Sequence, residues 1–420
     1  MWHTRWRLER LRKHQDKHVR AVIRYAFEHV PFYHERFRRL DLRPEDFRSV
    51  ADLKKIPVIR RNELQANSDK LVSDEFDASK LKVVSTSGST GRPFFTHLSD
   101  REVEFRRAKL LRPHLVCGQK SWDKWVVIGP PQHHSKVSEV QRLLRVYSPL
   151  FVSVFDGVPE QLRAINGIVP DVLDGYSGSL VLLAQEVRRS GNVGVQPKFC
   201  MGGAELIDQT SRDLIEGAFD APYYDQFASE EFQMLAWQCP AKGGYHVDAD
   251  TVVMQFLDEN GEEVTAGEKG EIVCTSLFNF AMPFVRYALG DVGVPSDADP
   301  CRCGVGFPLM KLLEGRSEEA IMLPDGRRLS PLAVGDCMCA FKHFESVLQY
   351  RFVQRRADLF RILIHKKPGG IGETIMGREL ACHVRETLRL GEAEVEVEFV
   401  SEIPPDKSGK IRKVVSELGR

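Results

Sequence analysis

A chain of 420 residues with 42% hydrophobic and 28% charged side chains is too long for one compact core, since single cores stop growing near ~250–300 residues. Its 59 Lys and Arg balance 59 Asp and Glu, so no global field favours nucleic acid or an anionic membrane as a partner. No run approaches the roughly 18 apolar residues that cross a bilayer, and the charged stretch Met1 to Arg12 lacks the apolar centre of a secretory signal. A cytoplasmic protein with one large and one small domain is the expectation. Nine cysteines, an odd count, suit free thiols or a metal better than a disulfide framework.

The first thirty residues carry Arg5, Arg7, Arg10, Arg12, Lys13, Lys17, Arg20 and Arg24 against three acids, which reads as the solvated face of a helix. Val19, Val22, Ile23, Ala26 and Val30 recur at helical spacing on the other face, and Pro31 stops the run. After the strand-like Lys82-Val-Val84 comes the loop Ser85, Thr86, Ser87, Gly88, Ser89, Thr90, Gly91, Arg92, Pro93. Gly88 and Gly91 let the backbone turn and approach a ligand, so N–H groups and hydroxyls can cradle phosphate. It is not a Walker A loop, because G-x-x-x-x-G-K-[ST] is absent, and by itself a polar surface turn would read the same.

Short β-branched runs at Lys124 to Ile128 and Leu150 to Phe155 then lie among helical stretches such as Leu180 to Arg189, an α/β signature. Gly175-Tyr-Ser-Gly178 lacks the final glycine of a hydrolase elbow, since Ser179 follows. Two strand-like runs, Val252 to Leu257 and Gly270 to Leu277, flank turn-rich residues and predict an antiparallel element. The domain boundary is placed near Gly315. Residues 1–315 form the large domain, and residues 316–420, with strands at Leu359 to Ile364 and Val395 to Val400 and a helix at Thr374 to Leu390, form a small α+β domain free to rotate.

Several segments resemble, in order, the motifs of the adenylate-forming ligases. Ser85 to Pro93 is similar to the family's phosphate loop, and Gly202-Gly203-Ala204-Glu205 to its adenine-contacting turn. Asp225-Gln226-Phe227-Ala-Ser-Glu-Glu231 resembles the D-x-Y-G-x-[ST]-E segment. Phe227 stands where Tyr is usual and keeps the ring that stacks on adenine, while Ala228 and Glu230 replace Gly and Ser/Thr. Glu231 inherits the magnesium-ligand role, and a hard carboxylate suits Mg²⁺ bridging ATP phosphates, although Glu230 could share it. Arg286-Tyr-Ala-Leu-Gly-Asp291 is similar to R-Y-x-x-G-D, which implies that Asp291 accepts the ribose hydroxyls and gives Arg286 a catalytic place. Arg316, with Ser317-Glu-Glu319, resembles the hinge motif. Lys410, in Ser408-Gly-Lys410, resembles the adenylation lysine.

The nearest branch is that of phenylacetate-CoA ligases and CapK-like capsule proteins, on Val30-Pro-Phe-Tyr33, Asp52-Leu-Lys-Lys-Ile-Pro57 and the short length. Cys239, His246, Cys301 and Cys303 resemble that branch's structural zinc site, in which a closed four-ligand set leaves no position for catalysis. The resemblance implies activation of a carboxylic acid, with aromatic acids among the candidates, to acyl-AMP by ATP and Mg²⁺, then transfer to coenzyme A. Transfer to an amine or a carrier-protein thiol stays open, as does a degenerate nucleotide-binding homologue.

Overall fold

The computed structural model describes residues 3–85, 94–131, 137–191, 194–297, 301–314, 321–323, 325, 328–329, 331–406 and 410–418. The chain divides into two compact units, each assembled from two separate stretches: residues 1–118 with 226–313, and residues 119–225 with 314–420.

In the first unit, α1 (Leu8–His29) buries Leu11, Val19, Val22, Ile23 and Ala26, the apolar stripe that the sequence spacing predicts. Pro31 ends α1 and also opens α2 (Pro31–Arg39), because a first-turn residue needs no N–H partner. The short α3 (Arg61–Ala66) leads to β1 (Lys82–Ser85), which pairs antiparallel with β2 (Phe95–Leu98). Ser99 and Glu102 form a reciprocal capping box that starts α4 (Asp100–Val116), satisfying donors that a bare helix end would leave open.

The second unit opens with β3 (Trp125–Gly129), α5 (Glu139–Leu144), β4 (Pro149–Ser153), α6 (Val158–Ile168), β5 (Val172–Tyr176), α7 (Ser177–Ser190), β6 (Phe199–Gly203) and α8 (Gln209–Phe219). The strands run parallel in the order β4-β3-β5-β6. Parallel neighbours require crossovers, which the intervening helices supply. That layering explains the unbroken apolar run Trp125-Val-Val-Ile128, suited to a strand covered on both faces.

With β7 (Tyr223–Ser229) the chain returns to the first unit. Strands β8 (Gln233–Gln238) and β9 (Tyr245–Val247) continue antiparallel from it, and β9 pairs with β13 (Leu309–Glu314). Between them β10 (Val252–Leu257), β11 (Gly270–Ser276) and β12 (Tyr287–Ser296) form an antiparallel set. The hairpin expected around Asp258 to Gly261 is therefore present. A large apolar core, from Leu11 to Met310, fills this unit, beside a small cluster of Leu257, Val273 and Ala288.

The second unit ends with β14 (Ile321–Met322), β15 (Arg328–Leu329), α9 (Pro331–Cys339), β16 (Val347–Arg356), β17 (Leu359–Lys366), α10 (Glu373–Thr387), β18 (Glu394–Phe399) and β19 (Val414–Ser416). The last four strands order as β18-β17-β16-β19. Phe352, Phe360, Ile362, Leu380 and Val384 give this stretch its own core, separate from the core built on Val126, Leu173 and Leu183. Among the described residues no helix is long and apolar enough to cross a membrane.

Candidate functional site

Thr86, Ser87, Gly88, Ser89, Thr90, Gly91 and Arg92 lie outside the described residues, as does Arg316. Ser85 is the last residue of β1, opposite Phe95 of β2, so the phosphate-loop sequence leaves from the end of a strand hairpin.

In the second unit, β6 delivers Gly202 and Gly203. A Cβ on Gly202 would lie 2.3 Å from the Tyr223 hydroxyl, so only glycine fits there. Ala204 turns the chain at φ 68°, a left-handed conformation uncommon for a side chain. The Glu205 carboxylate then accepts the Gly178 N–H at 2.7 Å and the Ile411 N–H. Burial lifts this carboxyl to about 7, opposed by those two N–H donors and by Lys410 and Lys413. Asp225 is buried and accepts from Arg212 Nη2 at 2.9 Å.

Lys410 sits half-buried on a loop closed by its own atoms. Its N–H donates to Asp406 Oδ1 at 3.1 Å, and the Asp406 N–H donates back to the Lys410 carbonyl at 2.8 Å. Arg351 spans the loop, giving Nη2 to the Pro404 carbonyl at 2.8 Å and Nε to the Arg412 carbonyl at 3.1 Å. Lys413 Nζ reaches Asp208 Oδ2 at 2.8 Å and Ser211 Oγ at 3.0 Å. The lysine loop is thereby seated on the Gly202–Glu205 turn and the start of α8, a juxtaposition that motif order alone does not give.

In the first unit, Glu231 is only 4% exposed and Glu230 is more open. The Tyr287 hydroxyl donates to Glu231 Oε1 at 3.1 Å. Arg106 of α4 donates to the carbonyls of both Glu230 and Glu231, and Asn279 adds a second bond to the Glu231 carbonyl at 2.9 Å. The acidic turn is thus held by the motif tyrosine Tyr287 and by two side chains, Arg106 and Asn279, that no motif singles out. Asp291 lies half-buried on β12. Burial, then Asp291 and Glu231, push the Cys274 thiol well above its ordinary value, with Lys109 opposing. Gln226 is half-buried on β7, and the Phe227 ring is buried in the unit's core.

Arg286, expected to be catalytic, contacts the backbone of its own unit. Its guanidinium donates to the carbonyls of Lys54, Ile56 and Gly261, so it ties three backbone segments together. The motif spacing carries no information on where the side chain points.

Cys239, His246, Cys301 and Cys303 do converge: their ligand atoms all lie within 4.8 Å of one another. Cys239 Sγ is 3.5 Å from Cys301 Sγ, and Cys303 Sγ is 3.3 Å from His246 Nε2. His246 Nδ1 faces the Phe307 carbonyl at 3.3 Å, the kind of outer contact that orients a ligating imidazole.

No family model matches the chain. It is 24% identical to the phenylacetate-coenzyme A ligase of Pseudomonas putida, over 85% of this chain and 82% of that protein. It is 22% identical to Protein CapK of Staphylococcus aureus, over 96% and 89% respectively. Its fold matches 2-hydroxyisobutyryl-CoA ligase in the postadenylation state with R3-HIB-AMP, with a TM-score of 0.81 at 18% identity, covering 99% of this chain and 91% of that one. The chain is accordingly a homologue of the phenylacetate-coenzyme A ligases and of CapK, with the fold of the adenylate-forming ligases.

Proposed function

We propose that this protein activates a carboxylic acid with ATP as an acyl-AMP and passes the acyl group to coenzyme A. The observation that carries the reading is the seating of the Lys410 loop on the Gly202–Glu205 turn through the Ile411 N–H and Lys413. It brings the proposed catalytic lysine to the proposed adenine turn. The Pseudomonas putida relative, a phenylacetate-coenzyme A ligase, supports coenzyme A as acceptor and an aromatic acid as substrate.

In the first half-reaction a carboxylate oxygen attacks the α-phosphorus, and the bond to the departing pyrophosphate breaks. Two anions must be brought together and the charge growing on the phosphoryl oxygens neutralised, which is a task of position and electrostatics. Ser85 to Thr90 and Arg92 serve as phosphate donors and Lys410 as the cation. Asp291 accepts the ribose hydroxyls, and Phe227 and Gln226 border the base. In the second half-reaction the thiol sulfur attacks the acyl carbon, the carbon–oxygen bond to AMP breaks, and the thiol proton is lost to solvent.

Mg²⁺ would be held by Glu231, whose buried carboxylate has the hard oxygens this ion prefers, and would neutralise phosphate charge. The three thiols and one imidazole fit Zn²⁺, which would be structural because the set is closed. A location in the cytoplasm goes with small, water-soluble substrates.

ATP–pyrophosphate exchange across a panel of aryl and aliphatic acids tests the reading. Exchange with at least one acid, abolished by Lys410→Ala, is expected; a wild-type protein that exchanges with no acid overturns it. Adding coenzyme A to the active pair should release AMP and form the thioester.

A further inference from the structure

The contacts that hold the Lys410 loop fall into two sets. Arg351 and Asp406 belong to the same small fold as the loop and shape it internally. Glu205, Asp208 and Ser211 belong to β6–α8 and hold the loop from outside. Asp208 does two jobs. Its Oδ1 accepts the Ser211 N–H at 2.8 Å and caps α8, while Oδ2 pairs with Lys413. The Asp208 side chain is 5% exposed and that of Lys413 27%, so the pair is sheltered on one side only. Lys413 also lies 5.7 Å from the centre of the Tyr350 ring. Gly178 closes the arrangement: a Cβ there would sit 2.4 Å from Glu205 Oε2 and 3.2 Å from Ile411 Cβ.

Every one of these outside contacts is polar. Polar contacts exchange readily with water, so they bias a loop and can still release it. We propose that Asp208 and Glu205 are positioning residues that latch the Lys410 loop onto the nucleotide turn for acyl-AMP formation, with Lys413 as the loop's half of the latch. This rests on the ligase reading above. Lys410 is three residues from Lys413 and one from Ile411, so fixing those two fixes its backbone.

The prediction is a split between half-reactions. Pyrophosphate departure builds charge that Lys410 must meet, whereas thiol attack on preformed acyl-AMP begins after pyrophosphate has left. Asp208→Asn removes the charge and keeps a capping side chain, since Asn caps as well as Asp. In the full-length protein, Asp208→Asn and Lys413→Met should each lower pyrophosphate exchange about tenfold. The double variant should fall no further, because both remove one interaction. Thioester formation from synthetic acyl-AMP and coenzyme A should stay within about twofold of wild type. Equal losses in both half-reactions, additive losses, or no loss would overturn the latch. Amide hydrogen exchange across residues 404–413 supplies a readout that needs no ligase activity. It should speed up about tenfold in Asp208→Asn and Glu205→Gln, with melting temperature monitored as the folding control. Unchanged protection sinks the latch even if the enzyme is active; faster exchange in a wild-type background that activates no acid sinks the ligase reading and leaves the latch standing.

Discussion

Arg286 occupies a motif position, yet its side chain is committed to the carbonyls of Lys54, Ile56 and Gly261. It also holds a left-handed backbone at φ 50° just before β12. Truncating it strands the Ile56 carbonyl in a buried place, whereas the part-buried Lys54 and Gly261 carbonyls can turn to water, and an unsatisfied buried group costs about 1–3 kcal/mol. Arg286→Ala is therefore expected to lose about 1–3 kcal/mol in urea unfolding while the folded fraction keeps the wild-type KM for ATP. A large rise in KM at unchanged stability would restore the catalytic assignment. The neighbouring Tyr287, the tyrosine of the same motif, gives its hydroxyl to Glu231. The same geometry separates the two acids of Glu230-Glu231. Glu231 points inward to that hydroxyl, and Glu230 contributes its carbonyl to Arg106, so the doublet does not place two carboxylates at equal depth.

Among the elements, the strand ends around β8, β9 and β13 are the least self-sufficient, being short and joined by loops rich in Gly and Pro. Cys239 follows β8, His246 lies on β9, and Cys301 and Cys303 precede β13, so one ion would join all three. Since a metal that binds only the folded state adds its binding energy to folding, purified protein should contain about one zinc per chain by elemental analysis. Cys303→Ala should lose the metal and melt roughly 5–10 °C lower. A metal-free wild-type protein with an unchanged melting curve would end the zinc proposal. How much of this was legible follows from the range of each signal. The α1 stripe, the β10–β11 hairpin and the alternation of strands and helices are local periodicities, and they appear in the sequence as such. The convergence of Cys239, His246, Cys301 and Cys303 was legible because these residue types are rare and chemically specific. Arg106 meeting Glu231 across 125 positions, or Lys413 meeting Asp208 across 205, leaves no local pattern, because charged residues are common and any pair could be the one.

At the scale of the whole chain, the interleaving of stretches sets what must be joined. The first unit unites residues 1–118 with 226–313, and a buried ionic network lies where they meet. Asp248 pairs with Lys109 at 3.3 Å and with Arg112, both on α4. Arg112 also takes Asp250 at 2.8 Å, and His3 faces Asp250 at 2.9 Å. His14 reaches the Asp250 carbonyl at 2.9 Å, so the N-terminal helix is tied to the same turn. The Lys109 and Asp248 side chains are 1% and 0% exposed, and burial draws the Lys109 ammonium down to about 8 against the pull of Asp248. Such a network adds little net stability, yet losing one partner leaves an uncompensated buried charge at a cost of about 3–5 kcal/mol. Asp248→Asn should therefore destabilise the protein by that amount and weaken the attachment of residues 3–14, seen as faster amide exchange there. Adding Lys109→Met, which removes the orphaned cation and keeps its bulk, should recover part of the loss in urea unfolding. If the double variant is as unstable as the sum of the two single ones, the charges are not the reason the segments hold together, and shape alone would carry the joint.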